Sequence, residues 1–379
     1  MVNKEQEASL LSPENKKIIS PFLSFGFSSS NFGNHNNSDY ILPNNLDALI
    51  NLASSQKSGI ELQLEPERGT MKLPETILDT STLPFFGIHL PIMGVDMARA
   101  SSTKQNPDFL LFDRTIKLAA NLNATYIVSH LQGNLNWNNL NQREELVDRM
   151  KGRADDLAGL IKTHNFKGKL LFENLEFPLF PATNVEIEDF VKWVKNFGEK
   201  NDIKTGFCLD LSHLWHSGLL IGENKWKPEI KSYFDSFNQS KVKFPEYLKS
   251  LLEKIGDNLE TVHITGTKIS PLKHDTHLLP ALSGPHDTSD QETMNIALSL
   301  EEIYQLARQK DKNISVVNEA HDFTYQDMLH ANQSMENFLN FCYPEKMGSP
   351  EHLDNPRAYY FDPRVINSIL AYLGADGNQ

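Results

Sequence analysis

Short apolar runs alternate along residues 21–319 with longer stretches whose apolar positions recur at three and four. The first kind reads as a buried strand, the second as an amphipathic helix packed against it. Strand-like runs fall at 21–27 (PFLSFGF), 59–64 (GIELQL), 85–90 (FFGIHL), 124–130 (ATYIVSH), 168–174 (GKLLFEN), 205–211 (TGFCLDL), 260–265 (ETVHIT) and 313–319 (NISVVNE). Helical spacing appears between them, in Leu46, Leu49 and Ile50, and in Phe109, Leu110 and Ile116. It recurs in Leu146, Met150, Leu157, Leu160 and Ile161, and in Ile303, Leu306 and Ala307. Eight β–α alternations with nearly unbroken apolar strands predict a (β/α)8 TIM barrel. An open doubly wound sheet would carry a glycine-rich phosphate turn after a strand, and neither the dinucleotide fingerprint nor a P-loop occurs.

The barrel is expected over 21–320, preceded by a polar arm at 1–20. A helical insert is expected at 222–258 before the seventh strand, helical around 247–255. The stretch 321–379 is expected to pack on the barrel as an extension, since FCYP and AYYF are too aromatic for a linker.

Charge and cysteine content narrow the chemistry. The net charge of −13, from 36 basic and 49 acidic residues, argues against a broad surface for a nucleic-acid backbone. Cys208 and Cys342 supply neither a disulfide framework nor a cysteine–zinc spacing. The first residues lack a secretory apolar core and no run is long enough to span a bilayer, so a cytoplasmic protein without membrane partners is expected.

The ends of the strands carry the candidate chemistry. The third run ends at His89, the fourth at His130 and the fifth at Glu173. The sixth gives Asp210 and His213, the seventh His263 and the eighth Glu319, while Asp275 and His277 follow in KHDTH. C-terminal strand ends of such a barrel converge on one face, where active sites sit. Any one of these residues could be structural; Asp210, for instance, could cap the turn that follows it. Six successive strands ending in ligand types are better explained by metal. Mixed imidazole and carboxylate donors suit zinc, iron or manganese. Nine donors exceed what one ion needs and suffice for two or three. His216, His274, His286 and His321 lie near the same mouth, whereas His35, His164, His330 and His352 are expected to face solvent.

The order His89, His130, Glu173, Asp210-x-x-His213, His263, Asp275-x-His277, Glu319 resembles the endonuclease IV branch of the xylose isomerase-like TIM barrels. That resemblance implies two or three zinc ions held by these nine residues, with Glu173 bridging. It implies water activated for attack on a phosphoester, with Glu173, Asp210, His213 and Glu319 as the catalytic residues. The acidic balance turns the expected substrate toward a compact, phosphorylated molecule rather than duplex nucleic acid, and Met93 and Met97 toward core contacts rather than DNA wedges. Related barrels offer other readings. Sugar isomerases and epimerases use one divalent ion, such as manganese, on a subset matching Glu173, Asp210, His263 and Glu319, although Ile269 stands where those epimerases usually carry Arg. LLFEN, GFCLDLSH, VHITG and HDTHLLP are similar to patterns of multinuclear non-haem iron oxidases, which act on peptides, often with a partner protein, and commonly have Asn where His213 stands. A non-catalytic metal scaffold is the reading outside enzymes.

Overall fold

Strands β1 (Leu23–Ser28), β2 (Gly59–Gln63), β3 (Phe86–His89), β4 (Tyr126–Ser129), β5 (Lys169–Glu173), β6 (Thr205–Asp210), β7 (Leu259–Ile264) and β10 (Ile314–Asn318) close into one barrel. The order around it is β1-β10-β7-β6-β5-β4-β3-β2, and every neighbouring pair is parallel. Each expected strand is therefore present, and the closed parallel barrel is the (β/α)8 architecture. A computed structural model describes residues 22–28, 46–55, 57–63, 79–91, 97, 107–132, 140–177, 179–222, 244–270, 273–278, 290–319, 332, 335 and 339.

Helices α1 (Leu46–Ser55), α2 (Pro107–Asn121), α3 (Leu140–Thr163), α4 (Asn184–Asn201), α5 (Leu211–Gly222), α6 (Phe244–Ile255) and α7 (Asp290–Gln309) follow the strands. Within the expected 222–258 insert, α6 is helical and packs between α4 and α7, the position of an outer-ring helix. Among the described residues that crossover also contains α5, which starts at the residue after β6 ends. An antiparallel hairpin, β8 (Gly266–Ser270) and β9 (Lys273–Leu278), leaves the end of β7 and packs on α5 and α7. The 1–20 arm lies outside the described residues, as does most of 321–379. Of the latter, Met335 and Leu339 join the core, and Asn332 donates to the Gly26 carbonyl at 3.0 Å. Among the described residues no helix is long and apolar enough to cross a membrane.

Strand alternation divides the core in two. Outward residues such as Phe27, Ile60, Ile88, Ile127, Phe172, Phe207 and Val316 pack under the helices. Inward residues Phe85, Tyr126, Val128, Leu171, Cys208 and Val317 form a separate plug inside the barrel. Glycine makes the larger rings of that plug fit: a Cβ on Gly59 would lie 2.3 Å from the Phe85 ring, and one on Gly87 would lie 2.3 Å from the Tyr126 ring.

Behind β5 the packing is aromatic. Phe190 stacks on Trp193 at 5.3 Å, Trp193 on Phe197 at 5.2 Å, and Phe172 meets all three rings edge-on. Such ring pairs add about 0.5–1.5 kcal/mol each beyond their burial. Helix α4 itself begins with a capping box: Thr183 accepts from the Glu186 amide, and the Glu186 carboxylate accepts from the Thr183 amide at 3.2 Å. The same carboxylate takes the buried guanidinium of Arg143 from α3, so the start of α4 is fixed in two directions. This clamps the outer side of β5, the strand that presents Glu173.

Candidate metal centre

Toward the C-terminal end, six of the eight strands present an inward ligand type two residues beyond the level of the plug. Gly87 is followed by His89, Val128 by His130, Leu171 by Glu173, Cys208 by Asp210, Thr261 by His263 and Val317 by Glu319. The strand period of two places each pair on one face, so the ligand types form a rim above the apolar plug. His89, Glu173, Asp210, His263 and Glu319 are all buried, His263 and Asp210 completely.

Glu173 is the hub. Its Oε2 lies 3.2 Å from His89 Nε2, 3.0 Å from His130 Nε2 and 3.4 Å from His263 Nδ1. Its other oxygen, Oε1, lies 3.5 Å from His213 Nδ1. Across the mouth, Glu319 Oε2 comes within 3.3 Å of His263 Nδ1. Donor atoms of His89, His130 and Glu173 lie within 4.8 Å of one another, as do those of Glu173, Asp210, His263 and Glu319. Glu173 belongs to both groups.

Hydrogen bonds assign the imidazole nitrogens. His89 Nδ1 donates to the Leu90 carbonyl at 2.7 Å, turning Nε2 toward Glu173. His213 Nδ1 donates to the Asn174 carbonyl at 3.0 Å. Asn174 also grips the end of β6 in both directions, donating to the Asp210 carbonyl at 2.9 Å and accepting from the Asp210 amide at 2.7 Å. Asp210 divides its carboxylate: Oδ1 accepts from the His213 amide at 2.7 Å and so caps α5, while Oδ2 has no hydrogen bond. The helix-cap reading and the ligand reading of this residue are thus compatible.

The unpaired atoms test whether metal fits. His130 Nδ1 and Nε2, His263 Nδ1, Asp210 Oδ2 and Glu61 Oε1 are buried without a hydrogen bond. Burying one such atom costs about 1–3 kcal/mol. At His130 and His263 the approach to Glu173 is close but misaligned for hydrogen bonding. Cations satisfy such atoms where donors gather, as those of Glu173, Asp210, His263 and Glu319 do, and imidazole and carboxylate together suit zinc, iron or manganese.

The electrostatics agree. Burial alone would raise the Glu173 carboxyl, yet His263 and His130 hold it well below the usual carboxylate range. Burial works the same way on Glu319, and His263 brings it down to about 2. Burial would lower His89, but Glu173, Glu61 and Glu319 raise it to about 9. Asp210, where burial outweighs the attraction of His213, is pushed up to about 6. Protonated imidazoles thus balance the Glu173 and Glu319 carboxylates, and a bound cation would displace those protons.

Of the nine expected ligands, seven are brought to one mouth with described side chains: His89, His130, Glu173, Asp210, His213, His263 and Glu319. The backbone of Asp275 and His277 lies in β9, which packs on α5; their side chains are outside the described residues. So are those of His216, His274, His286 and His321. His164, expected to face solvent, is half-buried and pairs with Asp113 at 2.7 Å. Met97 is a core residue, as expected, and Met93 lies outside the described residues. Two polar residues of the centre were not anticipated: Asn174, and Glu61 of β2, which is completely buried with Oε2 at 3.1 Å from His263 Nε2. A charge in the middle of GIELQL was the available signal for Glu61.

Comparison with known proteins agrees with this architecture. The family model described as xylose isomerase-like TIM barrel matches residues 75–289, more than half of the chain. A putative xylose isomerase from Rhodospirillum rubrum aligns with TM-score 0.52 and 12% identity over 84% of this chain and 99% of its own. A D-tagatose 3-epimerase-like protein aligns with TM-score 0.50 and 15% identity over 85% and 99%. Endonuclease IV from Thermus thermophilus aligns with TM-score 0.48 and 14% identity over 85% and 100%. At these identities the likeness to the first two concerns the fold alone. Among curated proteins, no sequence match is found.

Proposed function

This chain belongs to the xylose isomerase-like TIM barrel family, and on that premise we propose that it is a metal-dependent enzyme with a multinuclear centre at the C-terminal mouth. The reaction is hydrolysis of a phosphoester in a compact substrate, the chemistry of the endonuclease IV branch without its duplex DNA. The supporting observation is the double membership of Glu173, which shares its carboxylate between the His89–His130 group and the Asp210–His263–Glu319 group. A single-ion site would leave the buried His89 and the half-buried His130 with no chemical role.

In this reading His89, His130, Glu173, Asp210, His213, His263, Asp275, His277 and Glu319 hold two or three zinc ions. When bound, such ions lower the pKa of water and neutralise charge on the attacked and leaving oxygens. The protein's own contribution is placement. Asn174 fixes the end of β6, Asp210 presents Oδ2 while Oδ1 holds α5, and the Leu90 carbonyl sets the tautomer of His89. The plug beneath excludes water from the lower side of the rim. The −13 net charge supports a small substrate over an extended polyanion.

A second reading keeps one ion on Glu173, Asp210, His263 and Glu319, and assigns the chain to sugar isomerisation or epimerisation. That four-residue group is complete, which is its support. Elemental analysis of protein purified anaerobically, without added metal, tests both. About three zinc ions per chain supports the hydrolase; one manganese or cobalt supports the isomerase; two or three iron ions with oxygen sensitivity point to an oxidase. No transition metal after reconstitution overturns the metalloenzyme reading. His277→Ala sharpens the result, costing an ion and activity in a hydrolase and neither in a single-ion isomerase.

A further inference from the structure

Histidine binds a metal through one ring nitrogen, and the other N–H is ordinarily held by a carboxylate or carbonyl that sets tautomer and ring orientation. For His89 and His213 the holder is a backbone carbonyl, of Leu90 and Asn174 respectively. For His263 it is a side chain. Its Nε2 meets Glu61 Oε2 at 3.1 Å, whereas Nδ1 lies 3.3 Å from Glu319 Oε2 and 3.4 Å from Glu173 Oε2 and makes no hydrogen bond. The two nitrogens thus look toward different carboxylates, one in the rim and one from β2.

Resting on the metal reading above, we propose that Glu61 is a positioning residue of the centre. It accepts the Nε2–H of His263 and so presents the Nδ1 lone pair to an ion shared with Glu173 and Glu319. Three features support the assignment. Glu61 is completely buried, so its carboxylate needs a resident partner, and His263 provides the hydrogen bond. The pair joins strands on different parts of the barrel, β2 and β7, which are not neighbours in the sheet, so no backbone ladder aligns them. Finally, Glu61 occupies an inward position on a strand that contributes none of the nine expected ligands. The alternative is that Glu61 is itself a ligand, since its oxygen also lies within 4.8 Å of donor atoms of His89 and Glu319.

The test uses the full chain with zinc as the probe, comparing wild type with Glu61→Gln. Gln keeps the size but removes the charge, and it can turn its amide to donate to Nε2, fixing the wrong tautomer. The expected result is unchanged zinc stoichiometry at saturation, with affinity for one ion about 10–100-fold weaker by chelator competition. In zinc-loaded wild type labelled with 15N-histidine, His263 should show Nδ1 bound to metal and Nε2 bearing hydrogen; an ion on Nε2 overturns the proposal. Loss of a whole ion per chain in Glu61→Gln at saturation also overturns it, making Glu61 a ligand. A merely structural Glu61 would lower the unfolding temperature but leave the affinity of folded protein unchanged, which again overturns the proposal. Wild type that binds no zinc defeats the underlying metal reading first, so the two failures are distinguishable.

Discussion

The rim and the plug of the barrel are one residue pair apart on the same strands, yet they obey opposite rules. In the plug, size is matched to size: Phe85 fills the space left by Gly59, Tyr126 the space left by Gly87, and Leu171, Val128 and Val317 close the rest. In the rim, side chains of high charge face one another at 3.0–3.6 Å with several buried atoms unpaired. Burial is similar in both layers, so solvent exposure does not separate them. The difference lies in what completes each layer. The plug is complete with protein atoms alone, whereas in the reading proposed above the rim is completed by cations.

The sharpest way to break this contrast is Glu173→Gln. Removing the shared carboxylate should cost bound ions from both groups and reduce phosphodiester hydrolysis on the order of 10³-fold, measured by elemental analysis and turnover of a chromogenic phosphodiester. Leu171→Ala, two residues earlier on β5, should do the reverse. It should cost about 2–5 kcal/mol of folding stability in denaturant unfolding while leaving ions per chain unchanged. Equal effects of the two substitutions on metal content would erase the distinction between layers.

Acid–base behaviour of the metal-free protein should sharpen it further. His89 is raised from 6.5 to about 9, because Glu173, Glu61 and Glu319 outweigh burial. A raised imidazole stabilises the fold fully below its unfolded value and loses that contribution as pH rises through the folded one. The unfolding temperature of chelator-stripped protein should therefore fall between pH 6.5 and about 9. Zinc-loaded protein should show a smaller fall, because its ligands are already deprotonated. The smallest effect is expected on the outer surface. Lys192→Ala removes exposed pairs with Glu188 and Asp189 and should leave the midpoint of denaturant unfolding unchanged, because solvent screens such pairs.

The barrel was legible because parallel strands buried on both faces are written as apolar runs, and turns interrupt them. The rim was legible for a related reason: a His, Asp or Glu closing such a run has a structural explanation one at a time, as Asp210 does in capping α5, but none that covers six strands in succession. Glu61 escaped because its significance depends on His263, 202 residues away, and no spacing rule connects β2 to β7. Asn174 escaped because a neutral amide after a strand usually marks a turn, whereas here it bonds both backbone groups of Asp210. The end of β6 was expected at 211, but Leu211 is already helical because Asp210 caps α5 there.

That cap narrows what position 210 can become over evolutionary time or in a laboratory library. Asn, Ser or Thr would preserve the start of α5 and forfeit the anion. Glu would keep the anion, but its longer arm changes the reach to the His213 amide, only 2.7 Å away. Since α5 carries His213 and supports the hairpin bearing Asp275 and His277, a change at one side chain would be felt at three other expected ligands. If the proposed metal reading holds, redirecting this barrel from one metal to another should therefore be easier at His89 or His130, which cap no helix.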